Sequence, residues 1–285
     1  MSKPVCITYD STCDLSRELL ERFDIRIVPL HITVGEEEYA DDGSYTCAHV
    51  FARYLSDGTL PQTAAVSPQE FVAFFRPLLQ AGYEVVHLDI SSELSSTYQN
   101  ARIAAAELSE EGKVYCVDTR HLSTGGGLLA LQAADWRDAG VPAAEIAQRL
   151  NALTEKVDTS FVLDTLEYMW KGGRCSGLAA LGANLLKLKP SLEMRGGKLV
   201  VGKKYRGHMD KVYRQYVTER LQGADVRTDY AFVTNSTGMT QETLEELVYL
   251  VKDVAHVKEV FITEAGCTIA SHCGPKCLGV LFLHN

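Results

Sequence analysis

The chain has 285 residues, 46% hydrophobic and 23% charged, enough for one large or two medium domains with a substantial core. A formal net charge of −9 argues against a nucleic-acid partner held through phosphate contacts, since no basic surplus is there to displace counterions. No apolar run approaches the ~20 residues that span a bilayer, and Met1-Ser2-Lys3-Pro4 leads into a strand-like run without a signal peptide, so a cytoplasmic protein is expected.

Val5-Cys6-Ile7-Thr8-Tyr9 reads as a strand, Leu15 to Phe23 as a helix, and Arg26 to Ile32 as a second strand. Ser67-Pro68-Gln69-Glu70 opens a helix, with Ser67 as N-cap, Pro68 at the first helical position and Glu70 closing a capping box. A strand over 85–90 runs into Ser91, Ser92, Ser95, Ser96, Thr97 and Tyr98, and a helix over 98–109 follows with Ala101, Ala104, Ala105 and Leu108 at helical spacing. A strand over 114–117 and helices over 127–139 and 143–156 complete the first half. The second half restarts at Ser160-Phe161-Val162-Leu163, then a short helix and the stretch KGGRCSG. Strands near 189–194 and 198–204 flank Gly196-Gly197, a hairpin turn. A helix over 208–222, a strand over 230–234, a helix over 240–253 and strands over 257–263 and 278–283 follow. The alternation predicts an α/β fold of two lobes with parallel or mixed sheets, 1–156 and 157–285, and a ligand site at strand ends or between the lobes.

Polar residues follow strands in DSTCDLS (10–16), PQTAAVSPQEF (61–71), ISSELSSTYQNA (90–101), KGGRCSG (171–177) and IASHCGP (269–275). At the start of a helix the first N–H groups lack internal partners and carry the positive end of the dipole, a setting for an anion. In the plainer reading one hydroxyl caps the helix and the rest are solvated loop. TGGGLLA (124–130) lacks the spacing of a dinucleotide fingerprint, and its glycines read as a tight turn and close helix packing. Cys267, His272, Cys273 and Cys277 lie close in sequence but not in a paired zinc-knuckle pattern, so reduced thiols and no metal are expected. Ser95, His272 and Asp10 could form a hydrolase triad, although no Gly-x-Ser-x-Gly elbow surrounds Ser95.

In order along the chain, ITYDSTCDLS, IVPLHITVG, ISSELSSTYQNA, VDTRHLSTGGGLLA, LEYMWKGGRCSGLAALGANLLKLKPSL, GKLVVGKKYRG and IASHCGPKCLGVLF resemble the DegV family of bacterial fatty-acid-binding proteins. The resemblance implies two α/β lobes, an acyl chain threaded into the interior of the C-terminal lobe, and a carboxylate held near the lobe interface. It further implies a non-catalytic carrier that presents a long-chain fatty acid to a dihydroxyacetone-kinase-like partner for conversion to an acyl phosphate. No cofactor is implied beyond the bound lipid, and transient contact with a membrane is compatible with such a carrier. Carried over by position, Thr63, Ser95, Ser96 and His272 would hold the carboxylate. Arg174 and Arg206 would lie near the head group or face the kinase, and Asp10, Ser11 and Thr97 would brace the pocket. A binding module for another anionic amphiphile is the alternative.

The chain departs from the family pattern at three places. Thr63-Ala64-Ala65-Val66 stands where the family has Thr-Ser-Gln-Pro, Leu94-Ser95-Ser96-Thr97 where it has Leu-Ser-Gly-Thr, and Ala270 and Lys276 stand at the first and last glycines of a Gly-x-His-x-Gly-Pro-Gly pattern whose histidine, His272, is kept. A serine at position 96 either narrows the approach of a ligand to the backbone or demands another backbone conformation.

Overall fold

The computed structural model describes residues 3–175 and 188–285. Strands β1 (Val5–Asp10), β2 (Ile25–Val28), β6 (Glu84–Asp89) and β7 (Val114–Asp118) form a parallel sheet in the order β2-β1-β6-β7. β1 and β6 are buried nearly from end to end, as expected of parallel strands covered on both faces. A second, mixed sheet has the order β10-β9-β8-β13-β11-β12, built from β8 (Val157–Val162), β9 (Lys189–Arg195), β10 (Lys198–Tyr205), β11 (Val226–Asn235), β12 (Glu259–Glu264) and β13 (Leu278–His284). A small antiparallel sheet joins β3 (His31–Val34), β4 (Glu37–Ala40) and β5 (Gln62–Ala64).

The helices are α1 (Arg17–Arg22), α2 (Cys47–Asp57), α3 (Pro68–Gln80), α4 (Thr97–Glu107), α5 (Thr124–Asp138), α6 (Ala143–Leu153), α7 (Glu167–Gly172), α8 (Met209–Leu221), α9 (Gln241–Ala255) and α10 (Cys267–Cys273). α3 starts as its sequence predicts: Ser67 Oγ accepts from Glu70 N–H, and the Glu70 carboxylate accepts from Ser67 N–H at 2.8 Å. Gly196 and Gly197, both at positive φ, make the expected hairpin turn between β9 and β10.

Four sequence expectations are corrected. The run over Arg26–Ile32 is two strands in two sheets, because the chain leaves β2 at Pro29, which has no N–H to continue a ladder. α1 begins only at Arg17, capped by Ser16, whose hydroxyl competes successfully for the Leu19 N–H. β4, α2, β5 and α10 were not legible as elements, being short or polar on one side. Of the two roles read for the glycines of TGGGLLA, the turn is absent and the close packing is present: they lie inside the first turns of α5, where a Cβ at Gly125 would strike Thr159 Oγ1 and one at Gly126 the Tyr9 hydroxyl.

That close fit makes α5 the central wedge. It is buried from Thr124 to Ala134 and packs on β1 and β6 of one sheet and β8, β11 and β13 of the other. One apolar core therefore runs through both sheets, from Ile7 and Tyr9 through Leu128 and Leu129 to Phe232 and Leu281. Among the described residues no helix is long and apolar enough to cross a membrane.

Candidate functional site

α10 is short, and long-range contacts hold it in place. Asp41 Oδ1 accepts from Cys267 N–H at 2.9 Å and Oδ2 from Thr268 N–H at 3.2 Å, while Asp14 Oδ1 accepts from Gly266 N–H at 2.8 Å. Two carboxylates thus satisfy the amides that open the helix. Burial pushes both carboxyl groups above the usual carboxylate range, and Ser123 donates to the second oxygen of Asp14. Gly274, at φ +75°, ends the helix and its N–H bonds Ala270 O.

So fixed, α10 directs His272 toward β5. His272 Nε2 lies 3.2 Å from Thr63 Oγ1, and Nδ1 is buried without a hydrogen-bond partner among the described residues. Gly172, at the end of α7, leaves the room the ring needs, since a Cβ there would strike the imidazole. Desolvation first, and then the Arg174 charge, push His272 down to about 4, so it is a neutral imidazole at pH 7. Arg174 itself is exposed and bonds Gly172 O at 2.6 Å.

The other polar wall is the loop between β6 and α4. Ser91 O accepts from both Leu94 N–H and Ser95 N–H. Ser95 Oγ lies 2.7 Å from Thr97 Oγ1 and accepts from Thr97 N–H at 3.2 Å, so the buried Thr97 orients Ser95. Ser96 is the N-cap residue of α4, but its exposed side chain makes no capping bond. Its φ of −80° and ψ of 0° are open to any residue, so serine sits here without strain.

Thr63, Ser95, Ser96, Arg174 and His272 line one cavity of about 320 Å³. Its apolar lining includes Ile90, Leu122, Phe161, Met169, Leu199 and Ile269, drawn from both halves of the chain. A smaller void of about 30 Å³ shares Leu122, Phe161, Ile269 and Cys273 with it and continues toward Ser160 and Thr234. The volume falls within the roughly 300–1,000 Å³ of small-molecule sites, and an apolar lining with a few polar groups is the composition such sites have.

The remaining expected residues lie outside this lining. Asp10 is fully buried and accepts from Thr12 N–H, Thr12 Oγ1 and Ile90 N–H, tying the end of β1 to that of β6. Burial, with the Asp89 charge next, raises it to about 7. Ser11 donates to Asp41 and accepts from Leu30 N–H, so it steadies the α10 anchor. Arg206 is exposed just past β10 and does not line the cavity. Ser95, His272 and Asp10 each bond other partners, so the triad geometry is not assembled. Cys267 donates its thiol to Tyr45 O, and no three metal-ligating side chains cluster among the described residues. The anchors Asp14 and Asp41, and the spacing role of Gly172, escaped the sequence reading; only the long-range fold reveals them.

Comparison with known proteins places this geometry in context. The profile of a family described as "Uncharacterised protein, DegV family" matches residues 4–285. A DegV domain-containing protein of Deinococcus radiodurans is 32% identical over 282 residues, covering 97% of each chain. The structure described as "Fatty Acid Binding of a DegV family Protein from Thermus thermophilus" is 28% identical with a TM-score of 0.86, covering 99% of this chain and 100% of that one. A stearic acid-binding protein from Eubacterium ventriosum is 26% identical with a TM-score of 0.83, covering 100% of this chain and 98% of that one.

Proposed function

Because the chain belongs to the DegV family, we propose that it binds a long-chain fatty acid in the cavity between its sheets and presents the carboxylate to a kinase subunit. The observation that carries this reading is a cavity that combines Thr63, Ser95, Arg174 and a neutral His272 with an apolar lining. An anionic head leaving water needs donors, because an unpaired buried charge is very costly. The Thr63 and Ser95 hydroxyls, a ring N–H of His272 and the guanidinium of Arg174 can supply them, at roughly 1.5–3 kcal/mol for each bond to the charge. The tail contributes more: at about 0.8 kcal/mol per methylene, a sixteen-carbon chain offers on the order of 10 kcal/mol before ordering costs. The head group thus fixes position and the tail sets strength.

Nothing in this arrangement calls for covalent chemistry by the chain itself. Its task is to hold the carboxylate where a dihydroxyacetone-kinase-like partner, supplying ATP, converts it to an acyl phosphate. Arg174, an exposed cation at the rim of the cavity, would meet that partner, and Arg206 lies on an outer face that the partner could also use. The test is native mass spectrometry of freshly purified protein, followed by solvent extraction and identification of what is released. A stoichiometric fatty acid supports the reading and names the chain. Absence of any ligand, with no uptake of added palmitate or oleate, overturns it in favour of a site for a different anionic amphiphile. Formation of acyl phosphate on adding the kinase subunit and ATP then tests the presentation step.

A further inference from the structure

The hairpin β9–β10 closes one side of the cavity, and half of it stands clear of its sheet. Among the described residues β9 pairs with β8 through Ser191, Leu192 and Glu193, and just past β8 Leu163 N–H donates to Pro190 O. Among the described residues, Met194 and Arg195, beyond Glu193, pair with Leu199 and Lys198 of β10 alone, and β10 is the edge strand. The overhang is apolar on its inner side: Met194 and Leu199 pack with Ile90, Leu94 and Leu122, and Leu199 lines the cavity. At the base of the hairpin the β9–β10 register shifts between Val201 and Lys204, a break where a strand bends.

The tip of this overhang is tied to the opposite lobe. Gly197 O accepts from Ser91 Oγ at 2.7 Å, Gly196 O accepts from Arg120 Nη2 at 2.6 Å, and Lys198 Nζ lies 3.5 Å from Glu93. A Cβ on Gly197 would approach Ser91 Oγ to 2.9 Å, and its φ is +82°, so glycine serves both the turn and the contact. Arg120 is itself held in place, its N–H bonded to Asp118 Oδ1 at 2.9 Å. Ser91 is the residue whose carbonyl fixes Ser95, so the tie lands on the loop that carries a cavity hydroxyl.

We propose that the overhanging end of the β9–β10 hairpin is a latched flap that releases from Ser91 and Arg120 to let the acyl chain in and out. The inference rests on the fatty-acid reading above and adds the route and its catch. Lifting the overhang breaks no pairing with β8, exposes the apolar wall around Leu199, and bends the chain where β10 is already irregular.

The test joins the flap to the opposite lobe. Glu93 and Lys198 are exposed and line no part of the cavity, so the double variant Glu93→Cys, Lys198→Cys can be bridged with a two-carbon bis-methanethiosulfonate that reductant cleaves. Wild type treated alike controls for the native thiols. Dissociation of cis-parinaric acid, a fluorescent fatty acid, is followed by stopped flow against excess oleate. The bridge is expected to slow dissociation at least tenfold, and reductant to restore it. Arg120→Ala should speed it by roughly tenfold, the factor that corresponds to one bond from a charged donor. Equal rates with the bridge intact and cleaved overturn the flap while leaving fatty-acid binding in place. Failure of wild type to bind cis-parinaric acid overturns both.

Discussion

The two polar walls of the cavity are held by different means. His272 stands on a helix whose opening amides are bonded by Asp14 and Asp41, residues more than two hundred positions away in sequence. Ser95 stands on a loop whose bonds are mostly local, to Ser91 and Thr97. The first wall depends on buried carboxylates and the whole fold, the second on short-range hydroxyl chemistry. Damage to an anchor of the first should therefore unfold or displace it, whereas changes in the second should adjust it.

The largest effect is expected from Asp41→Ala. It strips the partners from Cys267 N–H, Thr268 N–H and Ser11 Oγ at once. A loss on the order of 3 kcal/mol in urea unfolding is expected, since bonds to a charged acceptor are the strong ones and the donors left behind are buried. Ser95→Ala should cost under about 1 kcal/mol in the same measurement. Equal losses in the two variants would erase the distinction between the walls.

Next comes Gly172→Ala. The added methyl strikes the His272 ring, so the imidazole must shift from its contact with Thr63. Binding of palmitate, followed by titration calorimetry, should weaken at least tenfold, about 1.4 kcal/mol. Far-UV circular dichroism should stay unchanged. A palmitate affinity equal to wild type would show that the position of His272 does not matter to the head group.

The third effect is a pH dependence. Without ligand His272 titrates near 4 because it is desolvated and faces Arg174. A bound carboxylate adds an opposite charge beside the imidazole, offsetting that of Arg174, and raises that value, so binding takes up a proton at pH between the free and bound values. Affinity should therefore rise as pH falls through the ligand-bound value toward 4, by up to about tenfold per pH unit, and stay flat above that value. Calorimetry in two buffers of different ionisation enthalpy reads the proton directly, and His272→Gln should abolish the uptake. The same shift acts on folding with its own sign. Below the unfolded value of 6.5 the unfolded chain gains a proton that folded His272 refuses, so this group makes the unliganded protein less stable from pH 6.5 down toward 4.

The contrast between the walls also explains what the sequence could reveal. The capping box at Ser67 and Glu70 and the hairpin turn at Gly196 and Gly197 act within a few residues, and the sequence carries that signal, though not the contact Gly197 makes with Ser91. The same holds for the hydroxyl run after β6, whose Ser95 and Thr97 complete each other locally. α10 is different. Cys267 to Cys273 spans about two helical turns of weak pattern, and it is a helix because Asp14 and Asp41 reach its first amides across the fold. The role of Gly172 likewise exists only once α7 and α10 meet. The family resemblance supplied His272 without supplying what holds it.

The smallest effect belongs to Ser96, where the family resemblance implies a glycine. The serine takes φ −80° and makes no capping bond, so its presence needs no special backbone and that half of the earlier alternative falls away. What remains is whether its exposed hydroxyl narrows the head-group end of the cavity. Ser96→Gly should change stability by only a few tenths of a kcal/mol, the usual difference between these residues at an N-cap. If the hydroxyl only borders the site, palmitate affinity should move less than about threefold, which is under 0.7 kcal/mol. A gain of tenfold or more would mean that serine partly closes the anion site of this chain, and that the local wall tunes head-group access while the anchored wall holds its geometry.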